Sequence, residues 1–163
     1  MRTLLALLGA AAALVGCDPA RVAKLEEGVS TEAQVRQEFG EPVTVTVLPD
    51  GQRVLDYPRQ PEGWTNYRIT IGTDGKMSSL RQLLNADNFA RVQPGLTEMQ
   101  VRELLGRPAK SQPWPLKSET ELLWRFRPDA NASKIFSVYF DTQGRALRTT
   151  ITDDPRTQAQ MGN

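Results

Sequence analysis

An internal repeat constrains this chain more than any other feature. Thr31-Glu32-Ala33-Gln34-Val35-Arg36-Gln37-Glu38-Phe39-Gly40-Glu41-Pro42 aligns without a gap on Thr97-Glu98-Met99-Gln100-Val101-Arg102-Glu103-Leu104-Leu105-Gly106-Arg107-Pro108, and seven of the twelve positions are identical. Upstream, Gly28-Val29 answers Gly95-Leu96, with one extra residue in the first copy. Downstream, Val54-Leu55-Asp56-Tyr57 falls opposite Leu123-Trp124-Arg125-Phe126, and Thr73-Asp74-Gly75-Lys76 opposite Thr142-Gln143-Gly144-Arg145. Such self-similarity implies one supersecondary unit built twice, with the join near Leu84 to Asp87. A unit of about 65–70 residues is marginal alone, so the two copies are expected to pack together.

Each block has a physical reading. Thr31 with Gln34, and Thr97 with Gln100, form capping boxes that open a helix. Val35, Glu38 and Phe39, like Val101, Leu104 and Leu105, fall at helical spacing and make one buried stripe, with Glu38 its weak member. Gly40 and Gly106 stand where a helix ends, and the proline two residues on prevents continuation. A shorter helix is expected before each capped one, over Pro19 to Glu26 and over Asn85 to Val92. Strands follow. Val43, Val45 and Val47 alternate with threonines, Pro49-Asp50-Gly51 turns, and Gln52 to Tyr57 returns. Tyr67, Ile69 and Ile71 share one face of the next strand, as do Phe136, Val138 and Phe140. Final strands run Lys76 to Gln82 and Arg145 to Thr152. The expected fold is α+β: two tandem repeats, each a helical hairpin followed by a three- or four-stranded antiparallel meander with helices on one face.

The N-terminus reads as an export signal over residues 1–16. Arg2 supplies a positive start, Leu4 to Val15 carries no polar side chain, and the run is shorter than the ~20 residues of a spanning helix. Its exit, Leu14-Val15-Gly16-Cys17, looks like the lipobox of bacterial lipoproteins, so Cys17 is the expected lipidation site. Cys17 is also the one cysteine of the chain, and lipidation would take its sulfur out of redox chemistry. The first repeat then spans 17–84 and the second 85–154, and the polar residues 155–163 read as a disordered tail.

Composition narrows the function. Basic and acidic residues number 20 and 19, and no basic run could track a phosphate backbone, so nucleic acid is not an expected partner. There is no histidine and no thiol besides Cys17. That removes Ser-His-Asp and Cys-His catalysis and most zinc sites, so no metal and no cofactor are expected. The carboxylate pairs Glu26-Glu27 and Asp153-Asp154 are adjacent in sequence, face apart on a helix, and suggest no acid–base site. The expectation is a protein that is not an enzyme.

The motif Gly-Val/Leu-(Ser)-Thr-x-x-Gln-Val-Arg-x-x-Phe/Leu-Gly-x-Pro, followed by an aromatic strand and preceded by a lipobox, resembles the SmpA/OmlA (BamE-like) family of outer-membrane lipoproteins. The resemblance covers both halves, and the tandem arrangement is similar to that of the secreted β-lactamase inhibitor protein. It implies an anchored envelope protein that faces the periplasm and acts by protein contact, in outer-membrane protein assembly or envelope integrity. The alternative it implies is an inhibitor-like module that grips a periplasmic enzyme with a concave sheet. The family points to the outer membrane, whereas Asp18 after the lipidated cysteine resembles an inner-membrane retention signal and also reads as a helix N-cap.

Four residues are candidate partner contacts. Trp64 and Trp114 each sit in a Pro/Gly-rich segment read as a loop. Arg68 and Tyr139 alternate with the buried sets of their strands and so belong to the sheet face away from the helices. Trp, Tyr and Arg are the residues enriched at interface hot spots. Trp124, Leu55, Tyr57 and Phe126, by contrast, read as sheet packing.

Overall fold

The capping boxes form as spelled. In the computed structural model, which describes residues 18–130 and 132–156, the Gln34 amide donates to Thr31 Oγ1 at 3.3 Å and the Thr31 amide to Gln34 Oε1 at 2.8 Å. The second copy repeats this at Thr97 and Gln100, at 3.2 and 2.9 Å. They open helices α2 (Glu32–Phe39) and α4 (Glu98–Leu105). Both helices stop at a glycine with positive φ, +80° at Gly40 and +72° at Gly106, a conformation other residues reach only with strain. Shorter helices precede them, α1 (Asp18–Val22) and α3 (Ala86–Ala90).

The strands are β1 (Thr44–Val47), β2 (Arg53–Pro58), β3 (Asn66–Ile71) and β4 (Met77–Gln82), then β5 (Lys110–Trp114), β6 (Glu119–Asp129), β7 (Ala132–Phe140) and β8 (Ala146–Asp153). They form two four-stranded sheets in the orders β1-β2-β3-β4 and β5-β6-β7-β8, and every described pairing is antiparallel. The protein is therefore α+β.

Each sheet buries one face. Val35 and Phe39 of α2 pack on Leu55, Tyr57, Tyr67, Ile69, Ile71 and Met77. Val101 and Leu105 of α4, with Phe89 of α3, pack on Trp124, Phe126, Phe136, Val138 and Phe140. The α2 stripe lacks its third member, as its sequence implied, because Glu38 turns out to an ion pair with Lys24 at 2.9 Å. A buried side chain of this size contributes about 1.5–3 kcal/mol, so the sheets and the capped helices fix one another.

Three expectations need correction. The first helix ends at Val22, short of Glu26, because the following residues run along β4: the Gly28 amide donates to Met77 O at 2.8 Å and the Met77 amide to Ser30 O at 2.7 Å. The second stops at Ala90, short of Val92, and Gly95 and Leu96 bond to Ala146 in the same way. Trp114 closes strand β5 and is not a loop residue. Of residues 155–163 only Pro155 and Arg156 are described, the Arg156 amide donating to Asp154 Oδ1 at 3.1 Å. Residues from Thr157 on, Cys17 with the whole leader, and Asn131 lie outside the described residues.

The largest departure concerns the open side of the first sheet. The face that carries Arg68 was read as the one away from the helices, but α4 of the same chain reaches it. Asn66 is buried and its Nδ2 donates to the carbonyls of Leu105 at 2.7 Å and Arg107 at 2.8 Å, taking up carbonyls at the end of α4. Arg68 pairs with Asp56 at 2.8 Å and reaches Glu103 at 3.0 Å.

Candidate interaction surface

On the open side of the second sheet, exposed Trp114 and Arg148 gather with partly buried Tyr139 and Glu119 and buried Glu121. The register aligns Gln112, Glu121, Tyr139 and Arg148 in one row across β5, β6, β7 and β8. Directly paired residues project from the same face. Arg148 lies over the Tyr139 ring at 4.0 Å and grips Glu119 with two 2.8 Å hydrogen bonds. Those bonds hold the Glu119 carboxyl below its ordinary range and raise the Arg148 guanidinium. Trp114 completes the patch, its indole donating to Glu121 Oε2 at 3.0 Å while 44% of the residue stays exposed.

Local sequence explains the tip beside it. Pro113 has no amide to offer a neighbour and sits on the edge strand, where proline is tolerated. Pro115 opens a single 3₁₀ turn, Pro115–Lys117, and Ser118 closes it with φ of +52°. This hairpin pushes Leu116 fully into solvent. Residues held by ion pairs or stacking lose little freedom on binding, and an aromatic with an apolar neighbour is the usual anchor of an interface.

The other candidates have internal partners. Trp64 donates its indole N–H to Ser133 Oγ at 2.7 Å, and Arg127 covers its ring at 3.5 Å. Arg68 joins β3 to α4, as described. The structure thus brings Trp114 and Tyr139 to one face and places Trp64 and Arg68 at the seam between the halves. Trp114 lies at the start of the β5–β6 hairpin and Trp64 beside the far end of β6, so the two tryptophans do not share a surface.

Sequence reasoning missed the seam around Asp154. This buried carboxylate accepts from Ser133 Oγ at 3.1 Å and from Arg125 Nε at 3.2 Å. Burial pushes its pKa up, but the Arg156 amide, the Ser133 hydroxyl and the two guanidiniums outweigh burial and hold it below the carboxylate range. Nearby, Gln60 donates to the Arg125 carbonyl at 2.7 Å and accepts from its amide at 3.2 Å, pairing β6 beyond the last β5 partner. Leu116 and Arg148 were also missed. The paired prolines around Trp114 were the available sign of a protruding tip.

Among the described residues no group of three His, Cys, Asp or Glu side chains could hold a metal. No helix among them is long and apolar enough to cross a membrane. No family model matches the chain, and no curated relative matches it. Among solved structures, a DUF4309 family protein, YjgB, from Bacillus subtilis subsp. subtilis str. 168 is similar over 80% of this chain and 82% of that one, with 18% identity and a TM-score of 0.30, which carries no functional argument.

Proposed function

We propose that this chain is a lipid-anchored envelope lipoprotein facing the periplasm, built of two BamE-like repeats (17–84 and 85–154) that each begin with a helical hairpin. It works by protein–protein contact and performs no chemistry of its own. The lipobox at Cys17 supports the anchor. Matching capping boxes and the same order of two helices and four strands in each half support the repeats. The observation that carries the contact role is the Trp114–Leu116 tip beside the Tyr139–Arg148 stack, an exposed apolar anchor ringed by organised charge.

Two experiments test this reading. Changing Cys17→Ala leaves an unprocessed chain that takes up no labelled fatty acid; a mutant still cleaved and still membrane-bound removes the anchor from the proposal. Affinity capture from detergent-solubilised envelope recovers subunits of an outer-membrane assembly machinery, and Trp114→Ala or Tyr139→Ala weakens capture about thirty-fold, the equivalent of ~2 kcal/mol for a true anchor. Full capture by both variants moves the surface elsewhere. The fully exposed Leu116 also favours the inhibitor-like reading, since a narrow tip can enter an enzyme cleft; recovery of one soluble enzyme in the same experiment selects it.

The outer membrane is the proposed location. Asp18 accepts from Thr65 Oγ1 at 3.0 Å and pairs with Arg59 at 3.3 Å, a structural use independent of sorting. Sucrose-gradient fractionation of the wild type and Asp18→Ser reads the sorting effect directly.

A further inference from the structure

Strand β1 is an edge that the other described residues leave open. All four of its residues, Thr44–Val47, are exposed, and Val45 and Val47 are 45% and 67% accessible. The sequence Val43-Thr44-Val45-Thr46-Val47 is β-branched throughout and carries no charge, no proline and no glycine. Proteins ordinarily guard such edges with charge, proline, bulges or covering chain. The other three edges here are guarded. Along β4, Glu27 Oε1 accepts from the Leu80 amide at 2.8 Å, and residues 28 and 30 bond to Met77. Strand β5 has Lys110 and Pro113, and β8 has Arg148 and Asp153.

The hydrogen-bond phase of β1 shows which of its backbone groups are free. The Leu48 amide donates to Gln52 O at 2.8 Å, and the register pairs Thr46 with Val54 and Thr44 with Asp56. Antiparallel bonding alternates, so Thr44, Thr46 and Leu48 turn their backbone groups to β2, while Val45 and Val47 turn theirs outward. The Val43 amide also faces inward, to Asp56 O at 2.9 Å. The free set is therefore two N–H and two C=O groups, two residues apart.

We propose that β1 pairs antiparallel with β1 of a second copy of this chain, about a two-fold axis through Thr46. In that register Val45 bonds with Val47 of the other copy in both directions, which satisfies all four free groups on each chain. Thr46 faces Thr46 across the axis in a non-hydrogen-bonded pair, and the valines pack against valines on one face. Thr–Thr and β-branched pairs are favourable cross-strand neighbours, and no like charges meet within the strand. The pairing is isologous, as a two-fold dimer requires, and joins two four-stranded sheets into one of eight. A contact this short falls below the ~1,200 Å² of stable interfaces, so the dimer forms in proportion to concentration.

The test is a register-specific cross-link in the full chain, purified in detergent with Cys17→Ser so that the introduced thiol stands alone. A non-hydrogen-bonded antiparallel pair places Cα atoms ~4.5 Å apart, within disulfide reach. Thr46→Cys should give a disulfide-linked dimer on mild oxidation. Thr44→Cys, which this register sets opposite Leu48, should give at least about ten-fold less. Adding Val45→Lys to Thr46→Cys should abolish the dimer while circular dichroism shows an unchanged fold; if that variant unfolds, Val47→Arg takes its place. Equal cross-linking at positions 44 and 46, a dimer that survives the charged substitution, or a disulfide to a different protein in its place would overturn the proposal.

Discussion

Between β2 and β3 the first half inserts a loop, residues 59–65, where the second half lengthens both strands: β6 runs to Asp129 and β7 begins at Ala132. The loop then docks on that extension through Gln60, Trp64 and the Asp154 cluster. A similar exchange of sizes occurs inside the cores. Phe39 of α2 faces a sheet that has Leu55, while Leu105 of α4 faces one that has Trp124. The Trp124 indole donates to Gly106 O at 3.1 Å. The two halves differ in how they distribute volume between facing positions and carry complementary ends, and the docked ends make the two halves depend on each other.

The volume trade is tested by the largest effect. Trp124 is fully buried, and Trp124→Ala should lower stability by about 3–5 kcal/mol in denaturant melts. Trp124→Leu alone leaves a cavity and an unpaired Gly106 carbonyl. Adding Leu105→Phe copies the first half's arrangement and should recover part of that loss, a coupling of 0.5 kcal/mol or more on the scale of contacting pairs, roughly. Strict additivity of the two changes would show that these positions do not trade volume.

Next come the equivalent glycines. A methyl at Gly40 would meet no heavy atom within 4 Å, whereas one at Gly106 would lie 3.1 Å from Asn66 Nδ2 and 3.3 Å from Leu83 Cδ1. Both substitutions carry the strain of positive φ with ψ near −160°, about 1–3 kcal/mol. Only Gly106→Ala should also disturb the Asn66 bonds that join β3 to α4, so it should cost measurably more. Equal melting temperatures for the two alanine variants would remove Asn66 from the seam.

The tryptophans separate by a smaller margin. Trp64→Ala loses the Ser133 bond and the Arg127 stack, together about 1–2 kcal/mol. Trp114→Ala should change stability by no more than about 0.5 kcal/mol, as expected of a half-exposed surface residue. The same seam sets the acid response. Asp154 has a depressed folded pKa, so its contribution is complete above the unfolded value of about 3.9 and is lost as pH falls through the lower folded value. Asp154→Asn should therefore flatten the stability profile below pH ~4. An unchanged acid limb would show that Asp154 does not couple to folding.

These contrasts mark what was legible in the chain. Caps, stop glycines and strand alternation are local, so Thr31, Thr97, Gly40 and Gly106 could be placed from residue order alone. The two tryptophans looked alike because each lies among turn-forming residues, and no local property shows that Ser133, many residues on, waits for one indole only. Asp154 was hidden similarly, since its burial depends on Arg125 and Ser133 arriving from β6 and β7. Helix ends were overestimated where the competing partner was a distant strand, Met77 in one half and Ala146 in the other. Of the candidate surface, Trp114 and Tyr139 were readable from type and phase, whereas Leu116 and Arg148 required the hairpin and the register.

The last contrast probes the subtlest difference, Tyr57 against its counterpart Phe126. Tyr57 is 1% exposed, and its hydroxyl has no hydrogen-bond partner among the described residues. Burial pushes its pKa up to about 12, the mark of a phenol whose charged form the surroundings resist. The ring itself is well used, tilted against Phe39 at 5.3 Å between centroids. Removing an oxygen that gains no bond on folding leaves those ring contacts in place and relieves the desolvation of a polar group. Tyr57→Phe, which gives the first half the second half's side chain, should therefore be neutral or stabilising by up to about 1 kcal/mol. A loss of more than that in a thermal melt would mean the hydroxyl is hydrogen-bonded in solution. The two cores would then differ in polar chemistry as well as in the distribution of volume.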